Sequence, residues 1–173
     1  VLERADRVRE RGHVPRARLL GAGTSADAHG ATAPHPEGAG AALAIERALK
    51  DAGLPPEAVD YVNAHATGTP VGDVAEAIAI TQTLGSVPVS SVKGALGHTI
   101  AAAGAIEAAA CIAGLQQGFM PGTSGFRDQD PSCPVEVVDR PRSAPLEVAV
   151  SNSFGFGGQN AALGFAHADS DHG

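Results

Sequence analysis

Two histidines, a lysine and a glutamate stand where their side chains have usable chemistry. His65 follows the run VDYVN and opens a turn of small residues, ATGTP, that carries the hydroxyls of Thr67 and Thr69. Ligands in α/β folds bind at the carboxyl ends of strands, so a histidine there suits hydrogen bonding or proton transfer. His98 stands before the run 99–115, TIAAAGAIEAAACIAGL. At a helix N-terminus the positive dipole end favours a neutral imidazole. Such an imidazole can donate to a developing oxyanion, as in triosephosphate isomerase. Glu107 is the single charge in this run, and a buried carboxylate needs a partner. Lys93 is the nearest candidate. Each has a bland alternative: a core or capping histidine, a purely structural ion pair. Two histidines at two strand ends, with Lys93 and Glu107, form a constellation that is harder to dismiss.

Other chemistries find less support. The glycine-rich stretch FGFGG at 154–158 is not a dinucleotide fingerprint, because Asn160 stands at the sixth position and AALGF reads as a strand. It fits a sharp turn that holds Phe154 and Phe156 at a cavity. No Cys-x-x-Cys or His-x-x-x-His spacing suggests a metal centre. A net charge of −7 disfavours nucleic acid and anionic membrane surfaces as partners. The 43% apolar and 18% charged residues exclude disorder. Two cysteines, Cys111 and Cys133, suit a reducing compartment, and the charged start VLERADRVRERG has no signal-peptide core, so a cytoplasmic location is expected. The first residue is Val, which suggests a non-ATG start, proteolysis or a boundary inside a longer protein.

The elements that must position these residues alternate. A charged helix is expected over 2–11, strands over 14–23, 59–63 and 87–91, and helices over 38–52 and from Pro70 to Leu84. Lys93 to Gly97 reads as a loop, and His98 as the start of one long helix to Gln116. Strands follow near 135–138, at 146–151 and at 160–165, and the polar tail 166–173 reads as frayed. This order argues α/β with a mixed or mostly parallel sheet. A helix apolar on every side is buried or in a membrane. Its alanine-rich character and Glu107 favour burial between sheets.

Three segments, NAHATGTPVGD (63–73), SSVKGALGHTIAAAGAIEA (90–108) and SNSFGFGGQNA (151–161), resemble the elongating β-ketoacyl-acyl carrier protein synthases, condensing enzymes of the thiolase fold. GTSADAHGATAPHPEGAGAALAIERAL (23–49) is similar too. The resemblance implies the C-terminal half of that layered αβαβα fold over 1–165. It implies that His65 and His98 are the two active-site histidines, which bind the malonyl thioester carbonyl and stabilise its enolate. Lys93 matches the active-site lysine and Glu107 the buried glutamate linked to it. Thr67 and Thr69 match contacts to the phosphopantetheine arm, which arrives on acyl carrier protein, so no cofactor of the chain's own is expected. Phe154 lies in the same substrate-facing loop. Phe156 matches the gating phenylalanine, whose N–H joins the oxyanion hole. Asn63, the Ala64 carbonyl, Glu107, Ser151 and Asn152 match a structural monovalent-cation site of some members.

The family's nucleophilic cysteine lies in the half not represented here, and neither Cys111 nor Cys133 stands in its motif. The resemblance therefore implies one chain of a split ketosynthase in fatty acid or polyketide synthesis. Its partners would be a second polypeptide bearing the cysteine, and acyl carrier protein, in a dimer of heterodimers. Two other readings stay open: a non-catalytic subunit like a chain-length factor, and a fragment of an ordinary ketosynthase. The arginines of the first helix (Arg4, Arg7, Arg9, Arg11) form either a carrier-docking patch or a solvated face.

Overall fold

The computed structural model describes residues 1–170. The first helix, α1 (Ala5–Glu10), is a solvated turn whose arginines pair locally: Arg4 with Asp6, Arg7 with Glu10 and Arg11 with Glu3. Then come β1 (Ala17–Ala26), α2 (Ala39–Ala52), β2 (Tyr61–Asn63), α3 (Pro70–Leu84) and β3 (Pro88–Ser90). A four-residue helix α4 (Lys93–Leu96), a 3₁₀ turn (Ile100–Ala102) and α5 (Ala103–Gln117) cross to β4 (Phe119–Met120), β5 (Glu136–Val137) and β6 (Arg142–Ser143). The chain closes on the hairpin β7 (Val148–Gly155) and β8 (Gln159–His167).

Six strands form one sheet in the order β1-β8-β7-β2-β3-β5. The β1–β8 and β8–β7 pairs are antiparallel, and β7–β2, β2–β3 and β3–β5 are parallel, so the sheet is mixed as the alternation of elements predicts. β7 is buried on both faces, which a central strand needs, and its sequence VAVSNSFG sends alternate residues to opposite layers. On one face Val62, Val148 and Val150 pack with Ile45 and Leu49 of α2 and Ile80 of α3. On the other, Tyr61 and Ala149 meet Cys111 and Leu115 of α5.

Small residues set the layer spacing. A Cβ on Gly23 of β1 would lie 2.0 Å from the Ala44 carbonyl oxygen and 2.4 Å from the Ala48 nitrogen of α2. Gly23→Ala is therefore expected to push α2 off the sheet and cost about 3 kcal/mol, the upper end for overpacking. A lowered urea midpoint at unchanged slope would check it. α2 also covers the outer edge of β1. Asp51 Oδ2 accepts the Ala22 N–H at 3.0 Å, and Arg47 donates to the Thr24 carbonyl at 2.5 Å.

Several expectations need correction. β1 starts three residues later than residue 14 and runs to Ala26. β7 continues past residue 151 to Gly155, because the hairpin ladder extends through Ser153, Phe154 and Gly155. β8 reaches His167, with Ala166 fully buried opposite Val148, so the strand overruns the tail boundary at 166. Residues 171–173 of that tail lie outside the described residues. The short β4–β6 pair has no sequence signal of its own. Lys93 to Gly97 is not a plain loop but carries α4, which ends at Gly97 with φ 75°, and the helix expected from His98 begins later, as a 3₁₀ turn at Ile100 that becomes α5 at Ala103.

The run Ile100–Gln117 is long and apolar enough to cross a membrane. Here it packs one face on the sheet. Ala103, Glu107, Cys111 and Leu115 form the covered stripe, and Ala105 and Ala109 stay exposed among the described residues. The expectation of a helix covered on all sides is thus not met within this chain.

Candidate active site

The sheet places β2, β3 and β7 side by side, and the turns that leave their carboxyl ends carry the candidate residues. His65 and His98 meet edge to face, with ring centroids 5.4 Å apart. Phe154, at the end of β7, lies 5.7 Å from the His65 ring. Lys93 Nζ is ion-paired with Glu107, and both side chains are almost fully buried. Ser153 Oγ donates to the other Glu107 oxygen at 3.5 Å. The residues singled out for chemistry from sequence thus come together.

The turn carrying His65 is held by α3. Glu76, itself buried, accepts the His65 N–H at 2.9 Å, the Ala66 N–H at 2.8 Å and the Asn152 amide at 3.1 Å. Asp73 accepts the Gly68 and Thr69 N–H groups at 3.1 and 3.3 Å. This sets the Thr67 and Thr69 hydroxyls 3.3 Å apart and exposed beside the histidine. Burial raises the pKa of Glu76, and the N–H donors oppose that rise. In the sequence Asp73 and Glu76 read simply as acids suited to the dipole of a helix start, and the clamp is not evident. The available signal was two acids in the first turns of a helix, just after a turn with unpaired amides.

His65 is half-buried, and its pKa is lowered to about 4 by burial first, then by Lys93 and His98. It is therefore neutral at physiological pH, and a neutral imidazole still has one N–H to donate to an oxyanion. Its signals in ¹⁵N NMR are expected to titrate near pH 4 rather than 6.5. The sign for folding follows: the unfolded histidine takes up a proton near pH 6.5 and the folded one does not. Its burial thus costs stability as pH falls from 6.5 toward 4.

His98 stands at the head of the helical run as expected, two residues before the 3₁₀ turn (Ile100–Ala102) that leads directly into α5. Its Nδ1 accepts the Ile100 N–H at 3.2 Å, which leaves the proton of the neutral ring on Nε2. Ile100 adopts φ 54°, and Ala66 beside His65 adopts φ 21°. For a β-branched residue a left-handed backbone is a strained conformation of the kind that clusters at functional sites.

Phe156 is 80% exposed, in the turn Phe156–Gly158, where Gly157 and Gly158 take φ 78° and 73°. That turn is tied to the loop after β1 by Gly157 N–H to the Ala31 carbonyl at 2.7 Å and Asp27 N–H to the Gly158 carbonyl at 2.9 Å. Neither cysteine is set up as a nucleophile. The Cys111 thiol is buried in α5 with a hydrogen bond to Ser151, and burial pushes it up to about 12. Cys133 lies on the far side of the sheet with Ile80 and Val89, and burial raises it too.

The cation-site residues divide between the faces. Asn63 and Ser151 are paired in register, with the Asn63 amide 3.5 Å from Ser151 Oγ, on the side of α5 and Glu107. Asn63 Oδ1 is buried without a partner. Asn152 turns to Glu76 on the other face, and the Ala64 N–H donates to the Ser90 carbonyl at 2.8 Å.

A family model for the β-ketoacyl synthase C-terminal domain matches residues 16–127. The chain belongs to the β-ketoacyl synthase family. A mitochondrial 3-oxoacyl-[acyl-carrier-protein] synthase of Arabidopsis thaliana is 45% identical over 96% of this chain and 38% of its own length. The ishigamide ketosynthase/chain length factor matches at TM-score 0.90 and 38% identity, over 94% of this chain and 41% of the matched one. A type II polyketide acyl-carrier protein complexed with its ketosynthase bound to the hexaketide matches at TM-score 0.93 and 30% identity, over 96% and 42%. This β-ketoacyl synthase domain thus spans about two-fifths of the length of the relatives it matches.

Proposed function

We propose that this chain supplies the decarboxylation and oxyanion half of a ketosynthase site, while a separate polypeptide supplies the nucleophilic cysteine. The observation that carries the reading is the edge-to-face pair of His65 and His98 next to the buried Lys93–Glu107 pair. The partner's cysteine takes an acyl group from acyl carrier protein. The malonyl thioester carbonyl then sits against the two imidazoles, which donate N–H bonds to its oxygen. As carbon dioxide leaves, the electron pair of the broken C–C bond moves onto that carbonyl as an enolate, which the donors stabilise. The enolate carbon attacks the acyl thioester, and the cysteine leaves as thiolate. The product is a β-ketoacyl thioester.

Glu107 fixes the Lys93 ammonium beside the site, and that charge helps keep His65 neutral. Thr67 and Thr69 present hydroxyls where a phosphopantetheine arm would pass. The Phe156 N–H would add an oxyanion donor, and its exposed ring would swing over the entrance. Asn63 Oδ1, Ser151 and Glu107 are oxygen donors on one face and would hold a monovalent cation, which suits oxygen ligands. Asn152 and Ala64 would join only through their backbone carbonyls. Such a cation would supply charge compensation beside Glu107.

The exposed apolar groups near the histidines, Leu96, Ile100 and Phe156, support a partner covering this face. Native mass spectrometry of the tagged chain purified from its host tests the assignment. A stoichiometric polypeptide with the cysteine half, in a dimer of such pairs with condensing activity, is expected. A soluble monomer that unfolds cooperatively would overturn it. The retained His65, His98 and Lys93 favour this over a non-catalytic chain-length-factor role.

A further inference from the structure

A cavity of about 230 Å³ opens between α3, β3 and the crossing 121–137. It lies behind the His65 turn, on the sheet face opposite α5. Its walls are apolar, from Ala77, Ile80, Val89, Phe126 and Val135. Four carboxylates also line it, Asp73, Glu76, Asp128 and Asp130, and no lysine or arginine does among the described residues. Their roles differ. Glu76 and Asp73 are engaged by backbone amides, and Asp130 Oδ1 accepts the Ser132 N–H at 2.8 Å. No ion pair joins any of the four among the described residues, although Lys93, beyond the lining, acts on Asp73 and Glu76. The Cys133 thiol lies in the same wall, and Asp130 and Asp73 both add to the rise in its pKa that burial begins.

Apolar walls with a few convergent polar groups are the usual composition of a small-ligand site. We infer that this cavity binds a small organic cation, a primary ammonium on a compact apolar body. At about 30 Å³ for each water-sized unit, the volume takes about seven or eight heavy atoms. Benzylammonium matches that size, and benzyl alcohol and benzoate keep the size while changing the charge. The ring would replace water against Ile80, Val89 and Phe126, and the ammonium would face Asp128 and Asp130 at the rim. Ala64 and Ala66, which flank His65, also line the cavity, so an occupant meets the residues on both sides of that histidine. The inference stands on the cavity alone and holds whether or not the chain takes part in condensation.

Cys133 provides the readout. Its alkylation by iodoacetamide, followed by mass spectrometry on the full protein that contains this chain, should slow at least fivefold with saturating benzylammonium. Benzyl alcohol should protect less and benzoate not at all. The deeply buried Cys111 serves as a control that ligand should not change. In an Asp128→Asn/Asp130→Asn variant, protection by benzylammonium, taken relative to the ligand-free variant, should fall to the level of benzyl alcohol. Equal protection by all three probes, no protection by any, or a charge preference that survives in the variant would overturn the inference.

Discussion

Replacing His98 by alanine is expected to abolish decarboxylative condensation while acyl transfer to the cysteine partly survives. The ring contributes an N–H donor whose direction is set by the Ile100 N–H on Nδ1. Loss of one such preorganised donor costs about 10²–10³ in rate. The loss should be greater here, since the ring is also the edge-to-face neighbour that confines His65. Acyl transfer depends on the thiol and its own environment, which lie outside this chain in the proposed assembly. Separate assays of radiolabelled acyl loading and of carbon dioxide release would resolve the two steps. A His98→Ala protein that condenses at the wild-type rate would show that these imidazoles are structural.

The second large effect concerns stability. Glu107→Ala would leave the Lys93 ammonium buried without its partner, at a cost of about 3–5 kcal/mol. The Coulombic gain of the pair roughly repays the desolvation of both ions, so the penalty appears when only one is removed. A Lys93→Met/Glu107→Leu double variant should recover most of that stability, and His65 in it should titrate at a higher pH, because the charge beside it is gone. Urea unfolding of the two variants, in the assembled protein, checks the sign. Equal losses in single and double variants would mean that packing, not charge, holds this region.

The site residues were legible because their types are unusual for their surroundings. Glu107 and Lys93 stand out as ions in apolar or small-residue segments, and the two histidines follow strand-like runs. Most elements were legible for the ordinary reason that glycine and proline punctuate them: Gly53 ends α2 in a left-handed conformation, and Pro70 opens α3. The delayed start of the helix after His98 was not legible, since nothing in HTIAAAG separates a helix from a turn. There the backbone departs from local preference at Ile100, a residue whose left-handed angle no propensity announces. Nor could sequence distinguish Glu76 at a helix start from Glu76 as the acceptor of two backbone amides. That role depends on how the His65 turn folds back over α3. The length of β7 and β8 was missed because their ends are held by their mutual ladder rather than by a simple alternation of apolar and polar residues.

The order of strands also constrains how the chain is made. Among the described residues β1 pairs only with β8: Ala17 faces His167, 150 residues later. During synthesis at about 5–20 residues per second, β1 would leave the ribosome roughly 8 to 30 s before its neighbour exists. Through that interval α2 covers its outer edge, where Arg47 and Asp51 reach the Thr24 carbonyl and the Ala22 amide, while the edge that will receive β8 stays open. The β1–α2 unit is thus the part of this domain that must guard a naked strand during translation. Charge-removing substitutions at Arg47 and Asp51 should lower the yield of soluble protein more than they lower the stability of molecules that have already folded.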